Sequence, residues 1–454
     1  MKTTQRLVLI IAILASFVAF LDGSVVGVAL PAISRDLGGG LLIQQWVNDA
    51  YLISLGTLIL AAGSLSDIFG RKKIVNVGLI GFLVTSILCA VAQTGEILII
   101  SRGLQGIAGA LLVPSSLALI ISTFKGIEQS KAIGRWTSWT GIAFIIGPLV
   151  GGLMVDLLSW RLVFAINVIP IVISLVLLKR LEIEDTRTRK SIDVPGIILG
   201  AIGLGGIVYA LIEQGNYGWN SPLIWGTFAA GIAAMIWFIF HERRTKEPML
   251  PLELFHVQNF SVGNLATLFI YAALALQGFL IVIFLQQVAG YPATLAGLVS
   301  LPITIIMFFL SSRFGALSGK YGPRLFMAVG PIVAGLGTLY MLSVNVPTIY
   351  WTQLLPGIIL FGLGLSITVA PLTSAILGSI QSSQAGIGSA INNAVARIAG
   401  LLSIAVIGLF IGNTITLSGF HVGIVLCSAL LILGGIVSAL GIQNINKQKS
   451  APLS

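Results

Sequence analysis

Fourteen apolar runs, each about 20 residues or longer, divide this chain and limit what it can fold into more than any other feature. At 1.5 Å of rise per residue, about 20 residues of helix cross the roughly 30 Å hydrocarbon core of a bilayer. In lipid every backbone N–H and C=O must find a partner inside the protein, so such runs are helices. They extend from Leu7 to Leu30, Gln44 to Ser66, Ile74 to Gln93, Ile97 to Phe124, Ala132 to Leu157, Trp160 to Leu178 and Val194 to Glu213. They continue from Pro222 to Phe240, Phe260 to Gly290, Pro292 to Phe314, Leu325 to Val344, Thr348 to Ile380, Ala385 to Asn413 and Val422 to Ile442. Hydrophobic residues make up 56% of the chain and charged residues 9%, against roughly 45–50% and 25% in an average soluble domain. No joint between runs is long enough for a soluble domain. The first run follows Lys2 and Arg6 but exceeds the apolar region of a signal peptide, about 7–15 residues, and is read as the first helix. The expected fold is an all-α integral membrane protein with 14 transmembrane helices.

The 25 Lys and Arg residues are unevenly distributed. All but four fall in or beside alternate joints and the two tails; Arg35 and Arg161 occupy the other joints, and Arg102 and Arg397 lie inside runs. Basic residues accumulate on cytoplasmic loops, so this pattern predicts that both termini are cytoplasmic. The net charge of +10 follows from that topology and calls for no nucleic-acid partner. Cys89 and Cys427 lie in apolar runs and are expected as packed free thiols.

Two joints on the same side are alike: GSLSDIFGRKK from Gly63 and GALSGKYGPRL from Gly315, which agree at Gly63/Gly315, Leu65/Leu317, Ser66/Ser318 and Gly70/Gly322. Eight runs separate the copies, and an even number makes them parallel, as in transporters built from two like halves. Halves of six helices would be offset by six, so an extra pair follows the charged stretch LEIEDTRTRKSIDVPG. The predicted organisation is an N-terminal six-helix bundle over 1–181, a linker and two-helix insert over 182–247, and a C-terminal six-helix bundle over 248–454.

These stretches resemble the major facilitator superfamily and, within it, the fourteen-helix drug:proton antiporters. LDGSVVGVALP, from Leu21, is similar to the first-helix motif of that branch, with Ser24 in place of Thr. GSLSDIFGRKK resembles the superfamily's loop between helices two and three, RGLQGIAGA from Arg102 its helix-four motif, and GPLVGG, Gly147 to Gly152, the antiporter motif of helix five. WRLVFAINVIP, ALIEQGNYGW and GSAINNAVARIAG also resemble that branch. The sequence departs from it at Ala143, where Gly is frequent, and at Ile398, where Gln is common. The resemblance covers essentially the whole chain. It implies the major facilitator fold, two six-helix bundles plus a two-helix central insert, working by alternating access as a proton-coupled multidrug exporter. The implied partners are lipophilic, cationic small molecules, protons and the lipid bilayer. No cofactor is expected beyond the proton gradient, the working unit is expected to be a monomer, and the short joints suggest a bacterial inner (plasma) membrane.

Asp22 is the first candidate site residue, because a charge in hydrocarbon costs about 2.5–3.5 kcal/mol on insertion scales and needs compensation. It lies about eight residues from the far end of its run, and Asp49 and Arg102 lie about five from the ends of theirs, so the three have comparable depths on three helices. Desolvation raises a carboxylate's pKa and a nearby arginine lowers it, so a shared cluster would let an acid exchange protons near neutral pH, with drug and proton competing for it. The alternative is that Asp22 or Asp49 only bonds helix ends or Arg102. No Asp or Glu follows Glu253, which assigns carboxylate proton chemistry to the first half or the insert. Glu213 is expected as a wetted helix-end carboxylate.

The resemblance implies that Gly63, Asp67, Gly70, Arg71 and Lys72 form a conformational latch, with Asp67 facing loop charges and the positive N-terminal end of a helix in the opposite half. The second copy has Gly319 in place of Asp67, which makes the latch one-sided. Gly147, Pro148, Gly151 and Gly152 let helices approach closely, and the resemblance connects that packing with closing the cavity. Candidate cavity residues are Asn264, Tyr271, Gln277, Gln286, Asn392, Asn393 and Arg397, with Gln287 and Phe279 beside them. Arg397 has no acid nearby in sequence; it bonds carbonyls and amides, reaches Asp22, or meets an anionic substrate group.

An enzyme is not expected: His241, His256 and His421 do not cluster, and no metal or nucleophile motif occurs. A Gly-x-x-x-x-Gly-Lys-Ser/Thr loop is also missing, which argues against ATP-driven pumping. The competing readings are an exporter of one metabolite, antibiotic or lipid and, further off, a membrane sensor or channel.

Overall fold

The computed structural model describes residues 3–182, 192–381, 384–412 and 414–444, without the side chain of Ser130. Most of the charged linker, with Arg187, Arg189 and Lys190, lies outside the described residues, as do Lys2, Asn413, Lys447 and Lys449.

Among the described residues every regular element is helical. The first part contains α1 (Thr3–Leu37), α2 (Gly40–Phe69), α3 (Arg71–Ala90), α4 (Gly95–Thr123), α5 (Gly126–Leu157), α6 (Leu162–Ala165) and α7 (Val168–Lys179). The central hairpin is α8 (Val194–Tyr217) and α9 (Pro222–Arg244). Then follow α10 (Gln258–Gln287), α11 (Ala293–Leu298), α12 (Leu301–Tyr321), α13 (Pro323–Tyr340), α14 (Leu355–Gly378), α15 (Ala385–Ile411) and α16 (Leu417–Gly441). These make 14 helical spans long and apolar enough to cross a membrane, matching the fourteen runs in order. Large apolar side chains such as Ile100, Trp237 and Phe308 are exposed on the helices, as a lipid-facing surface requires.

The helices overrun the apolar runs where polar residues extend the last turn. α1 continues through Ser34, Arg35 and Asp36 and stops only at Gly38 and Gly39, with φ of 79° and 84°. Two runs read as single helices are interrupted. The sixth breaks between α6 and α7 at Ile166–Asn167, and the tenth between α11 and α12 at Val299–Ser300. The twelfth opens with a π-helical turn over Tyr350–Leu354.

The chain forms two compact units: one of Met1–Pro251, Gly278–Val299 and Leu401–Phe420, the other of Leu252–Gln277, Ser300–Gly400 and His421–Ser454. In the first, α4 packs against α1, α2 and α3, α5 lies along α1, and α8 pairs with α9 and touches α2. In the second, α14 packs against α12 and α13.

The repeated joints share one turn. α2 ends and α3 begins at Gly70 (φ 99°, ψ 134°), and α12 ends and α13 begins at Gly322 (φ 89°, ψ 155°). Both lie at positive φ, which L side chains rarely adopt, and this gives the repeated glycine its physical reason. What holds each turn differs. In the first unit Arg71 Nη2 pairs with Asp67 Oδ1 at 3.4 Å. In the second, the Asn444 side chain lies against Gly322 and its Oδ1 accepts the N–H of Arg324 at 3.1 Å.

Candidate functional site: a buried polar cluster and a lone acid

Helix α4 carries Arg102 and, one turn later, Gln105 on its buried face. Arg102 is 1% exposed, so its guanidinium, which stays protonated in proteins, needs acceptors inside the bundle. Nη1 donates to Asp22 Oδ2 on α1 at 2.6 Å and to Gln105 Oε1 at 2.5 Å, and Nε donates to the Val47 carbonyl on α2 at 3.0 Å. The ring of Tyr51 lies 4.3 Å from the guanidinium carbon. Asp22, fully buried, accepts two further bonds at Oδ1, from Asn167 Nδ2 at 2.9 Å and Gln105 Nε2 at 3.2 Å. Gln105 Nε2 also donates to Ser86 Oγ on α3 at 2.9 Å. The network joins α1, α2, α3, α4 and the break between α6 and α7, and every Asp22 oxygen is occupied. Such a carboxylate is compensated as an anion.

Asp22 and Arg102 are thus brought together, and Asp49 is not joined to them. Asp49 is also fully buried, but among the described residues its Oδ1 accepts only from its neighbour Asn48 Nδ2 at 2.9 Å, and its Oδ2 has no partner. An ionised carboxylate with an orphan oxygen in an apolar interior is costly, so Asp49 is suited to hold a proton. The depth argument set the three residues at comparable positions along their helices and could not tell which of them would bond to one another.

Ser86, Gln105, Asn167 and Tyr51 were not singled out by sequence reasoning. Gln105 and Asn167 sit inside RGLQGIAGA and WRLVFAINVIP, and the three-residue spacing from Arg102 to Gln105 puts both on one helix face. Glu213, expected to be wet, is half-buried and accepts from Trp46 Nε1 at 2.7 Å and Asn216 Nδ2 at 2.9 Å.

The GPLVGG segment of α5 makes backbone-level contact. A Cβ on Gly147 or Gly151 would meet Ser24 and Val25 of α1, and one on Gly152 would meet the backbone of Ala293 and Thr294, while the Pro148 carbonyl lies against Gly297. One turn beyond Gly152, Asp156 accepts the N–H groups of Ala293 at 2.9 Å and Thr294 at 2.8 Å, and the Thr294 hydroxyl at 2.6 Å, fixing the start of α11 on α5. Gly152→Val is expected to destabilise the protein by about 1–3 kcal/mol by overpacking, read as a lower thermal midpoint in detergent.

At the first repeated joint Asp67 and Arg71 are paired as above, Lys72 Nζ donates to the Leu181 carbonyl at 2.5 Å, and Gly63 has open space where a Cβ would point. In the second unit Asn392 Nδ2 donates to Thr267 Oγ1 at 2.8 Å and Asn264 Oδ1 at 3.2 Å, bridging α15 and α10, and Thr338 Oγ1 donates to Gln277 Oε1 at 2.7 Å. Asn264 and Gln277 are therefore buried helix bridges. Asn393 donates to the Ser389 carbonyl within its own helix. Gln286 Nε2 donates to the Val28 carbonyl within the first unit at 2.9 Å. Tyr271 and Arg397 are half-buried, and among the described residues no carboxylate pairs with Arg397.

A sequence profile of the Major Facilitator Superfamily matches residues 12–404. The puromycin resistance protein pur8 of Streptomyces alboniger is 33% identical over 415 residues, 88% of this chain and 80% of that protein. The multidrug transporter protein MdtP of Bacillus subtilis is 32% identical over 412 residues, 90% and 75% of the two chains. The tetracenomycin C resistance and export protein of Streptomyces glaucescens is 32% identical over 405 residues, 87% and 74%. In fold, the chain is similar to a peptide transporter POT solved with sulfate, with a TM-score of 0.70 at 16% identity, covering 95% of this chain and 93% of the other.

Proposed function

Because the chain belongs to the Major Facilitator Superfamily, we propose that it exports lipophilic small molecules in exchange for protons, with Asp49 as the exchanging acid and Asp22 as a fixed counter-ion. That it is a multi-pass transporter of the export type, and not an enzyme, is the premise; coupling ion, substrate charge and residue roles are the proposal. The observation that carries it is the contrast between the two acids. Asp22 is held by Arg102, Gln105 and Asn167, so removing its charge would strand a guanidinium. Asp49 has one amide partner and an orphan oxygen, so a proton can leave and return without breaking an ion pair. A cation arriving near Asp49 favours its ionised form and expels the proton, which is the logic of antiport.

The relatives favour a broad substrate range in this reading, since their names include puromycin resistance, tetracenomycin C resistance and export, and a multidrug transporter. The same names support a second reading, export of a single antibiotic or metabolite. Both readings place the chain in a bacterial plasma membrane with its termini in the cytoplasm, and both assign Asp67 and Arg71 to a latch on that side.

The deciding experiment is proton release on adding a lipophilic cation such as ethidium to the purified protein in detergent. Release is expected from wild type and from any folded Asp22→Asn protein, and is expected to be lost in Asp49→Asn. Release that survives in Asp49→Asn overturns the assignment. No release from folded wild type across a panel of cations overturns cation antiport and directs attention to Arg397 and a neutral or anionic substrate.

A further inference from the structure

The central hairpin carries a second group of buried acids that the transport reading does not use. Asp193 immediately precedes α8 and is 7% exposed, and Glu242, in the last turn of α9, is 3% exposed. Each carboxylate has one oxygen engaged and one idle. Asp193 Oδ1 accepts the Gly196 N–H at 2.9 Å and meets His241 Nε2 at 2.6 Å. Glu242 Oε2 accepts the Leu250 N–H at 2.9 Å. Among the described residues, Asp193 Oδ2 and Glu242 Oε1 have no hydrogen-bond partner. The idle oxygens converge: both lie within 3.0 Å of one point, the position a Cβ on Gly196 would take.

Two acceptor-only oxygens beside one point in a buried place repel if both acids are ionised, and each lacks a donor among the described residues. One proton removes both defects, since a protonated carboxyl is a donor as well as an acceptor. Among the described residues the titratable groups acting on Glu242 are Asp193 and His241. An apolar cluster also ties α2, α8, α9 and the segment after α9 together, through Leu60 and Ala61 of α2, Ile197 of α8, Phe238 of α9, and Met249 and Leu250. His241 is spent on Asp193 Oδ1, and among the described residues no other cation pairs with either acid.

We propose that Asp193 and Glu242 form a proton-binding site, holding one proton between Oδ2 and Oε1 and thereby clasping the start of α8 to the end of α9 and to the segment at Leu250. The O–H forms on one carboxyl and donates to the other, and proton loss leaves two facing carboxylates that push the hairpin end and the Leu250 segment apart. The clasp is independent of Asp49 and of substrate, and it responds to pH on its own side of the membrane.

Infrared difference spectroscopy of the full-length protein in detergent, titrated in pH, tests this by following the C=O band of protonated carboxyl groups. Glu242→Gln and Asp193→Asn are each expected to remove one protonated carboxyl from the wild-type titration, and Asp49→Asn to remove a different one. The loss in Glu242→Gln is expected whether or not Asp49 is the antiport acid, so the two assignments fail separately. Wild-type thermal stability is expected to fall as pH rises through the titration of that carboxyl, and to stay flatter in Glu242→Gln, where the amide keeps a donor in place. Unchanged carboxyl spectra in both folded variants overturn the proposal. If neither variant folds, wild type decides: stability that does not change while the band disappears overturns it. A wild-type midpoint that drops on adding EDTA at fixed pH assigns the two oxygens to a metal cation and likewise overturns it.

Discussion

Asp22→Ala is expected to destabilise the protein by about 3–5 kcal/mol, and by more than Arg102→Ala. Both substitutions break the same 2.6 Å ion pair, but the groups left behind differ. Without Asp22 the Arg102 guanidinium remains charged, 1% exposed, with only the Val47 carbonyl and Gln105 Oε1 as acceptors. It cannot give up its proton. Without Arg102 the Asp22 carboxyl can take up a proton and keep its bonds to Gln105 and Asn167 with only local rearrangement. Unfolding in detergent by heat or denaturant, monitored through tryptophan fluorescence, measures both. Equal losses, or a larger loss for Arg102→Ala, would show that Asp22 is not the fixed anion on which the first bundle is assembled.

Gly106→Val is expected to be the most damaging single substitution between α2 and α4, while Gly103→Ala, one turn earlier, is expected to be nearly silent. A Cβ on Gly106 would run into the Tyr51 carbonyl and the Ser54 Cβ, so the two helices touch through their backbones. Overpacking of this kind costs about 1–3 kcal/mol and occasionally more. The movement also carries Tyr51 off the face of Arg102, which connects a packing fault to the polar cluster. At Gly103 the nearest atoms to a Cβ are Ser54 Oγ at 3.8 Å and the Ala50 carbonyl at 3.9 Å, an ordinary van der Waals distance. There the higher helix propensity of alanine, up to about 1 kcal/mol over glycine, offsets the added contact. Thermal midpoints of the two variants, compared with wild type in the same detergent, separate a backbone seam from general intolerance of bulk on α4.

The number and order of the spans were legible because hydrocarbon thickness imposes a length on every apolar run, and no later packing can relax it. The repeat was legible because a turn at positive φ demands glycine at both Gly70 and Gly322. Helix ends were less so: Ser34, Arg35 and Asp36 read as a joint, yet the backbone continues helical to Leu37. The site was half legible. Asp22 and Arg102 announce themselves as charges in apolar runs, and depth alone suggested that they meet. Depth could not reveal that Asp49 makes no bond to that cluster, nor that Asn167 serves Asp22 from a helix break hidden in an apolar run. The acid pair of the hairpin escaped for another reason, because Asp193 and Glu242 sit in charged, polar-looking stretches whose burial depends on tertiary packing.

The two glycine turns, alike in backbone, are secured by different kinds of chemistry, and this makes the halves of the molecule unequal toward their surroundings. The Asp67–Arg71 pair beside Gly70 is partly exposed and ionic, so dissolved salt weakens it over a Debye length of about 8 Å at physiological strength. The Asn444 amide against Gly322 is neutral, and salt leaves it largely alone. Ionic strength therefore acts on one of two like turns and passes over the other.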